Sequence, residues 1–362
     1  MQKPSTESIY CFDVEYFDKM ASLVRKYKLF YHLGNGMIEM YDPKNRRTFL
    51  KKCKYDSIEL KDLYLGAKIS VYSRLLTVVS YGDDFTRRSL QLANSKTLCI
   101  VKAPAYDFTG RLLDCFIQNG FEVTNAKLCQ LSVKQASELV TEAEEDVKSL
   151  ALDNVFAFEL KCKDAVSKLN DICASPMVRK IVSKIPLEAA LYTSKSATDV
   201  KRQLDLMFGY TVVPSATFNN CTMCCIKPQA IKDGHAGKIL DAILNDGYEI
   251  SGLEMFRLDV DAAKEFLEVY DTVVPYYSGM VKHLTEGPII AMEIRTEKEK
   301  TVPLFREFAG PADPVVARHI RPHTLRAKFG KNKIENGIHC TDLPEDGVLE
   351  SEFFFSILQK AK

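Results

Sequence analysis

Two stretches of this 362-residue chain repeat one another, and that repeat limits the available folds more than any other feature of the sequence. Thr97-Leu-Cys-Ile-Val-Lys102-Ala-Pro is matched by Thr222-Met-Cys-Cys-Ile-Lys227-Pro. Gly110-Arg-Leu-Leu-Asp-Cys-Phe-Ile-Gln-Asn-Gly120-Phe-Glu-Val is matched by Gly237-Lys-Ile-Leu-Asp-Ala-Ile-Leu-Asn-Asp-Gly247-Tyr-Glu-Ile. Both copies read strand, helix, strand. The helix carries apolar residues at i, i+3 and i+4, and Gly120 or Gly247 stands where a C-cap glycine belongs. The chain turns helical again from Leu131 and from Asp261. Val155-Phe-Ala-Phe-Glu-Leu160 then pairs with Ile289-Ile-Ala-Met-Glu-Ile294 as a buried third strand. A β-α-β-β-α-β order predicts an α+β protein built on two ferredoxin-like sandwiches, each an antiparallel sheet with helices on one face.

The copies then part. The segment from Leu131 to Val155 is about seven residues shorter than the one from Leu258 to Ile289, by alignment of the copies. Where the second copy has Ile338-His339-Cys340, the first has Ala190-Leu191-Tyr192, and no histidine lies between Gly110 and Tyr210. His339 sits among small polar neighbours, with Asn336 before it and Thr341-Asp342 after it. Imidazole has an unperturbed pKa of about 6.5, so much of it is neutral and nucleophilic near pH 7. His339 reads either as a nucleophile or as a strand-end histidine satisfied by backbone.

Residues 1 to about 92 are different, β-rich and outside the repeat. Arg25–His32 and Met37–Tyr41 flank Gly34-Asn35-Gly36, a hairpin signal because those residues tolerate positive φ. Lys68–Tyr72 and Leu75–Val79 are further short strands, closed by Tyr81-Gly82-Asp83-Asp84. Lys44, Arg46, Arg47, Lys51, Lys52 and Lys54 fall within eleven positions, either a solvated hairpin or a patch for an acidic partner. Lys+Arg 49 against Asp+Glu 48 leaves no global field to draw the chain to DNA, RNA or a membrane. No apolar run approaches the roughly 20 residues that cross a bilayer. The 11 cysteines and an N-terminus without a signal-peptide pattern predict reduced thiols in the cytoplasm. Cys221, Cys224 and Cys225 have no second ligand pair at zinc-site spacing and read as strand residues, so no metal site is expected.

The motifs together resemble those of nucleoside diphosphate kinases. Lys227-Pro228 opening a domain, Gly287-Pro288-Ile-Ile-Ala-Met292 on its middle strand, and Asn336 through Asp342 near its end match that family's signposts. Two copies behind a small β-rich, PH-like domain are similar to a ciliary branch of the family. Tyr81–Thr86 and Arg47–Lys51 resemble markers of its N-terminal DM-ten domain, found also in axonemal proteins. The expected domains are 1–92 (DM-ten-like), 93–212 (a degenerate kinase copy) and 218–362 (the copy that keeps the histidine).

The resemblance implies ping-pong transfer of a γ-phosphate through phosphohistidine, with Mg²⁺ accompanying ATP or another nucleotide. It assigns His339 as nucleophile, Glu350 as the carboxylate that orients it, and Thr341 as support for Glu350. Lys227, Arg306 and Arg326 would hold phosphate, Asn336 the sugar, and Tyr276 the base, with Tyr277 open as the alternative. Two positions depart from the family. Its threonine between the arginines falls on Ala312, and its tyrosine falls near Leu267 or Tyr270. In the first copy Lys102 persists, while Arg306 aligns with Lys168. The implied setting is the cytoskeleton of a cilium or flagellum, where the chain would be a microtubule-associated axonemal protein with tubulin among its partners. The alternative is an enzyme whose main role is nucleotide supply.

Overall fold

The computed structural model describes residues 8–361 apart from 19–20, 56–57, 73, 94, 141–143, 210–211, 213 and 298–299. The chain forms two compact units, 1–94 and 95–362.

In the first unit, strands β1 (Ile9–Asp18), β2 (Leu23–His32), β3 (Met37–Asp42), β4 (Arg47–Lys54), β5 (Lys68–Val71) and β6 (Arg74–Tyr81) make one antiparallel sheet in the order β4-β3-β2-β1-β6-β5. Alternation decides which face is buried: Phe12 and Val14, Leu29 and Tyr31, Ile38 and Met40, Leu76 and Val78 all point into one core. The Gly-Asn-Gly turn is present, with Gly36 at φ +67°. The sequence did not single out β1 as a strand, although it pairs with both β2 and β6. After Asp83, whose Oδ1 accepts the Thr86 amide at 2.6 Å, the helix Asp84–Ala93 begins, and its Thr86 hydroxyl accepts the Cys11 amide at 2.7 Å.

In the second unit the repeat becomes an eight-stranded antiparallel sheet. Its strands are β7 (Ser95–Val101), β8 (Glu122–Gln130), β9 (Asn154–Cys162), β10 (Leu191–Thr193), β11 (Cys221–Ile226), β12 (Glu249–Phe256), β13 (Ile289–Arg295) and β14 (Ile338–Cys340). Their order, β10-β7-β9-β8-β12-β13-β11-β14, is the same four-strand pattern read inward from each end. The halves join where β8 meets β12, through Leu128 opposite Leu253 and Lys127 opposite Glu254. A single apolar cluster runs through both halves, so the two expected kinase-like copies fold as one compact body.

The two repeat helices, Thr109–Gln118 and Ala236–Asn245, cross over this joint, and their first glycines explain the spacing. A Cβ on Gly110 would stand 2.1 Å from the Asp241 amide nitrogen, and one on Gly237 would stand 2.2 Å from that of Asp114. Only glycine permits the backbones to approach so closely. Tyr106 ties the halves again: its hydroxyl donates to the Ile250 carbonyl at 2.8 Å and accepts the Ile250 amide at 2.7 Å. Both C-cap glycines lie where expected, Gly120 and Gly247 each at φ +83°.

One expectation is corrected: helices cover both faces of this sheet. Leu112, Phe116, Leu240 and Ile243 lie on one face, while Leu139, Leu150, Leu204, Phe266, Leu284 and Phe354 lie on the other. The reason is visible in the strands. All six residues of β11, including Cys221, Cys224 and Cys225, are buried, and a strand that is apolar on alternate and intervening positions requires cover on both sides.

Candidate functional site

His339 is the middle residue of the short edge strand β14, opposite Cys225 on β11. It is 4% exposed, and the ring of Phe266 packs edge-on against it with centroids 4.7 Å apart. One wall of the site is therefore apolar. The helix Asp346–Glu352 follows a short loop and returns Glu350 to the strand. Glu350 Oε2 lies 2.9 Å from His339 Nε2 and accepts the Thr341 hydroxyl at 2.9 Å. Thr341, fully buried, also accepts the Met223 amide at 2.9 Å, so it pins the carboxylate to the sheet. An acceptor at Nε2 keeps the proton there and leaves the lone pair on Nδ1.

A second buried carboxylate stabilises this arrangement from behind. Glu293 on β13 accepts from the Thr217 and Phe218 amides at 2.7 and 3.0 Å, and from the Ser251 and Ser351 hydroxyls at 2.6 and 2.5 Å. Burial pushes its pKa up, and these donors outweigh burial and hold it below the usual carboxylate range. Ser351 is the residue after Glu350, so Glu293 fixes the helix turn that presents Glu350. The sequence showed this carboxylate only as part of the repeat, with nothing to signal its donors.

The cations fall into two sets. Lys227, just beyond β11, is 5% exposed and donates to the Ile334 carbonyl at 3.2 Å. Burial, and then the charge of Arg326, push its pKa down from 10.5 to about 7. Arg326, on the helix Leu325–Phe329, donates to the carbonyls of Gly310 at 2.9 Å and Ile338 at 3.3 Å. Its guanidinium also lies 3.5 Å from the Cys340 thiol, so much of its donor fork is spent on holding the site together. Gly310, at φ +85° and with the Thr324 hydroxyl 2.3 Å from where a Cβ would be, has to be glycine for that carbonyl to reach Arg326.

Arg306 is different: half-exposed on the helix Thr301–Ala309, it reaches Asp342 Oδ1 at 3.2 Å. Asp342 Oδ2 accepts the Tyr270 hydroxyl at 2.5 Å, and the Tyr270 ring stands edge-on to His339 at 6.4 Å. Of Leu267 and Tyr270, the tyrosine is the one that borders the histidine. Burial, followed by the hydrogen bond to Asp342, raises the Tyr270 pKa and keeps the hydroxyl a donor. The part played by Asp342 was not legible as more than a motif letter.

Asn336 donates to the Ala312 carbonyl at 3.0 Å, while its buried Oδ1 has no partner among the described residues. Tyr277 packs on the core and donates to the Lys264 carbonyl at 3.4 Å. Tyr276, half-buried at the start of the helix Tyr277–Thr285, makes no ring contact or side-chain hydrogen bond among the described residues, which leaves its ring the freer of the two. Among the described residues no group of three His, Cys, Asp or Glu side chains could hold a metal ion. None of the described helices is long and apolar enough to cross a membrane.

The corresponding place in the first half is closed. Lys102, 1% exposed, is paired with Asp146 at 2.8 Å and donates to the Glu188 carbonyl at 2.8 Å. Lys168, aligned with Arg306, rests its ammonium over the Phe121 ring at 5.4 Å. Tyr192 stands in the strand opposite Ile100 and receives an amide hydrogen bond from Gln203 at 2.7 Å.

Over 370 residues the chain is 39% identical to nucleoside diphosphate kinase homolog 7 of Rattus norvegicus, spanning 96% of this chain and 93% of that protein. The chain belongs to the nucleoside diphosphate kinase family. Residues 220–359 match the family model for nucleoside diphosphate kinase, and residues 4–92 match that for the nucleoside diphosphate kinase 7 N-terminal PH domain. The nucleoside diphosphate kinase of Aquifex aeolicus is 37% identical over 138 residues, 38% of this chain and 95% of that one. A crystal form of the Aquifex aeolicus enzyme matches at 36% identity and TM-score 0.36, over 39% of this chain and 97% of that one. The architecture expected from sequence, a β-rich PH-like domain followed by ferredoxin-like αβ structure with antiparallel strands, is the one found.

Proposed function

We propose that the C-terminal half binds the magnesium complex of a nucleoside triphosphate and passes its γ-phosphate through His339 to a nucleoside diphosphate. The observation that carries this reading is the His339–Glu350 pair, which leaves Nδ1 as the free nitrogen of a buried ring, on a strand whose residues Ile338 and Cys340 contact the buried Arg326 and whose preceding Gly337 carbonyl accepts the Lys227 amide. A phosphate placed there would meet positive charge in a site of low dielectric, which is most of what phosphoryl transfer asks of a protein.

In the proposed step the Nδ1 lone pair attacks the γ-phosphorus, an N–P bond forms, and the bond from phosphorus to the bridging oxygen breaks. Its electron pair leaves with the nucleoside diphosphate. Nε2–H stays bound to Glu350, whose negative charge offsets the positive charge that develops on the ring. Attack by an acceptor diphosphate on the phosphohistidine reverses these bonds and restores the histidine. Mg²⁺ travels with the substrate phosphates. Arg306 would leave or share Asp342 to reach the transferring group, Asn336 Oδ1 would accept from the sugar, and Tyr276 would stack on the base. The test is transfer from ATP to a second nucleoside diphosphate by the full-length chain. Turnover that His339→Ala abolishes while nucleotide still binds supports the reading; equal turnover by His339→Ala overturns it.

A second reading concerns the rest of the chain. The first half, with Lys102 paired to Asp146, is a degenerate kinase domain that contributes packing. The exposed basic hairpin at Arg46, Arg47, Lys51 and Lys52 supports docking of the β-rich unit to an acidic surface such as tubulin in an axoneme. Both roles fit one chain.

A further inference from the structure

A cavity of about 530 Å³ lies at the joint between the two halves of the second unit, within the size range of small-molecule sites. Ile117, Phe121 and Val123 from the first half and Pro228, Ile231 and Pro288 from the second give it apolar walls. Polar and charged side chains share the lining. Lys232 and Arg257 border it, exposed, and neither has a salt-bridge partner among the described residues. Of the three carboxylates on the rim, Glu122 reaches Lys161 at 3.3 Å and Glu335 accepts the Asn332 amide at 3.0 Å, while Glu286 lies 3.6 Å from His283 Nδ1 and 3.9 Å from Lys282.

Two side chains in the wall are built and unsatisfied. Gln229, 5% exposed, spends its amide hydrogens on Asp233 at 2.8 Å and the Phe329 carbonyl at 3.2 Å, leaving Oε1 buried with no donor among the described residues. His283, also 5% exposed, has Nε2 buried with no partner among the described residues. Burial and the nearby charge of Lys227 lower the His283 pKa, so the ring is neutral and can accept or donate. Buried polar atoms without partners are rare in folded proteins, and two of them belong to residues of this wall.

We propose that this cavity is a binding site for an organic monoanion with a flat apolar body, an aryl or alkyl carboxylate or sulfonate. The acid group would sit between Lys232 and Arg257, and the body against the apolar walls. A monoanion fits better than a phosphate ester because three carboxylates border the cavity and a second negative charge would meet them. The first half supplies one wall, which gives that half a role of its own. Pro228 follows Lys227 and Glu335 precedes Asn336, so an occupant would rest against the two turns that carry proposed nucleotide-binding residues.

The test uses the full-length chain and 8-anilinonaphthalene-1-sulfonate, titrated by fluorescence and by calorimetry in the absence of nucleotide. One site per chain is expected. The Lys232→Gln, Arg257→Gln double variant, altered only at exposed side chains, should bind about tenfold more weakly. Thr124→Trp, which fills the cavity from the first half, should lose binding while its thermal unfolding stays cooperative. A naphthalene disulfonate should bind less well than the monosulfonate. Absence of one-to-one binding, or affinity unchanged in both variants, would overturn the proposal. Tighter binding of the disulfonate would overturn the monoanion assignment. Because no nucleotide enters the readout, the outcome is separate from that of the kinase reading.

Discussion

Nucleotide binding should take up a proton, and Lys227 should be where it goes. Its pKa of about 7 in the free protein, set by burial and by Arg326, leaves roughly 0.1 of the side chains charged at pH 8. A bound phosphate favours the ammonium form and restores the group toward its ordinary 10.5. Binding at pH 8 should therefore take up ~0.9 proton at this residue, and at pH 6 only ~0.1, since it is already charged there. The sign follows: affinity is highest where Lys227 is charged in the free protein and falls as pH rises through 7. Between pH 7.5 and 9 the loss should approach tenfold per pH unit, about 1.4 kcal/mol. Calorimetry with a non-hydrolysable ATP analogue in buffers of different ionisation enthalpy gives the proton count directly. Subtracting the count for Lys227→Met removes the nucleotide's own titration. An uptake below ~0.2 at pH 8, or one unchanged by Lys227→Met, would show that this lysine does not receive the phosphate.

Other consequences follow from the same geometry. Thr341→Ala removes one of the two contacts on Glu350 Oε2 and should slow transfer about three- to tenfold, read as kcat with nucleotide affinity nearly constant. Glu293→Gln should lower unfolding stability by about 1–3 kcal/mol in denaturant melts, because buried hydroxyls and amides lose a charged acceptor. Gly110→Ala forces a methyl into the Asp241 backbone and should cost a similar amount, about 1–3 kcal/mol, with the loss appearing in both halves at once. Reversing Arg46, Arg47, Lys51 and Lys52 to Glu should weaken microtubule co-sedimentation, and added salt should mimic the effect; unchanged pelleting would make the cluster a solvated hairpin.

The sequence carried the architecture because its signals were local. Strand-helix-strand periodicity, two C-cap glycines and a Gly-Asn-Gly turn each follow from backbone preference within a few residues. The cover on both sheet faces was harder to see, because β11 is buried throughout with no polar alternation, and periodicity then says nothing about which side is covered. The joint between halves was written in Gly110 and Gly237, but a glycine at a helix crossing looks like any helix glycine until its partner is known. At the site, His339 was legible from its setting, and Glu350 and Thr341 through the family resemblance; the structure joins them by two hydrogen bonds. Asp342 and Glu293 were not, since an acceptor's importance lies in donors that come from distant segments: Tyr270 and Arg306 for one, Thr217, Ser251 and Ser351 for the other. Arg326 was read as a phosphate ligand alone, yet it also fastens Gly310 and Ile338, which only the fold reveals.

The most direct test of the central claim is the position of the phosphate. Incubation of the full-length chain with Mg²⁺ and ATP, followed by ³¹P NMR of the denatured phosphoprotein at alkaline pH, distinguishes the two nitrogens of a phosphohistidine. With Glu350 holding Nε2, the phosphate should appear on Nδ1 of His339 and vanish in His339→Ala. A phosphate on Nε2, or none on a chain that has bound nucleotide, would contradict the account.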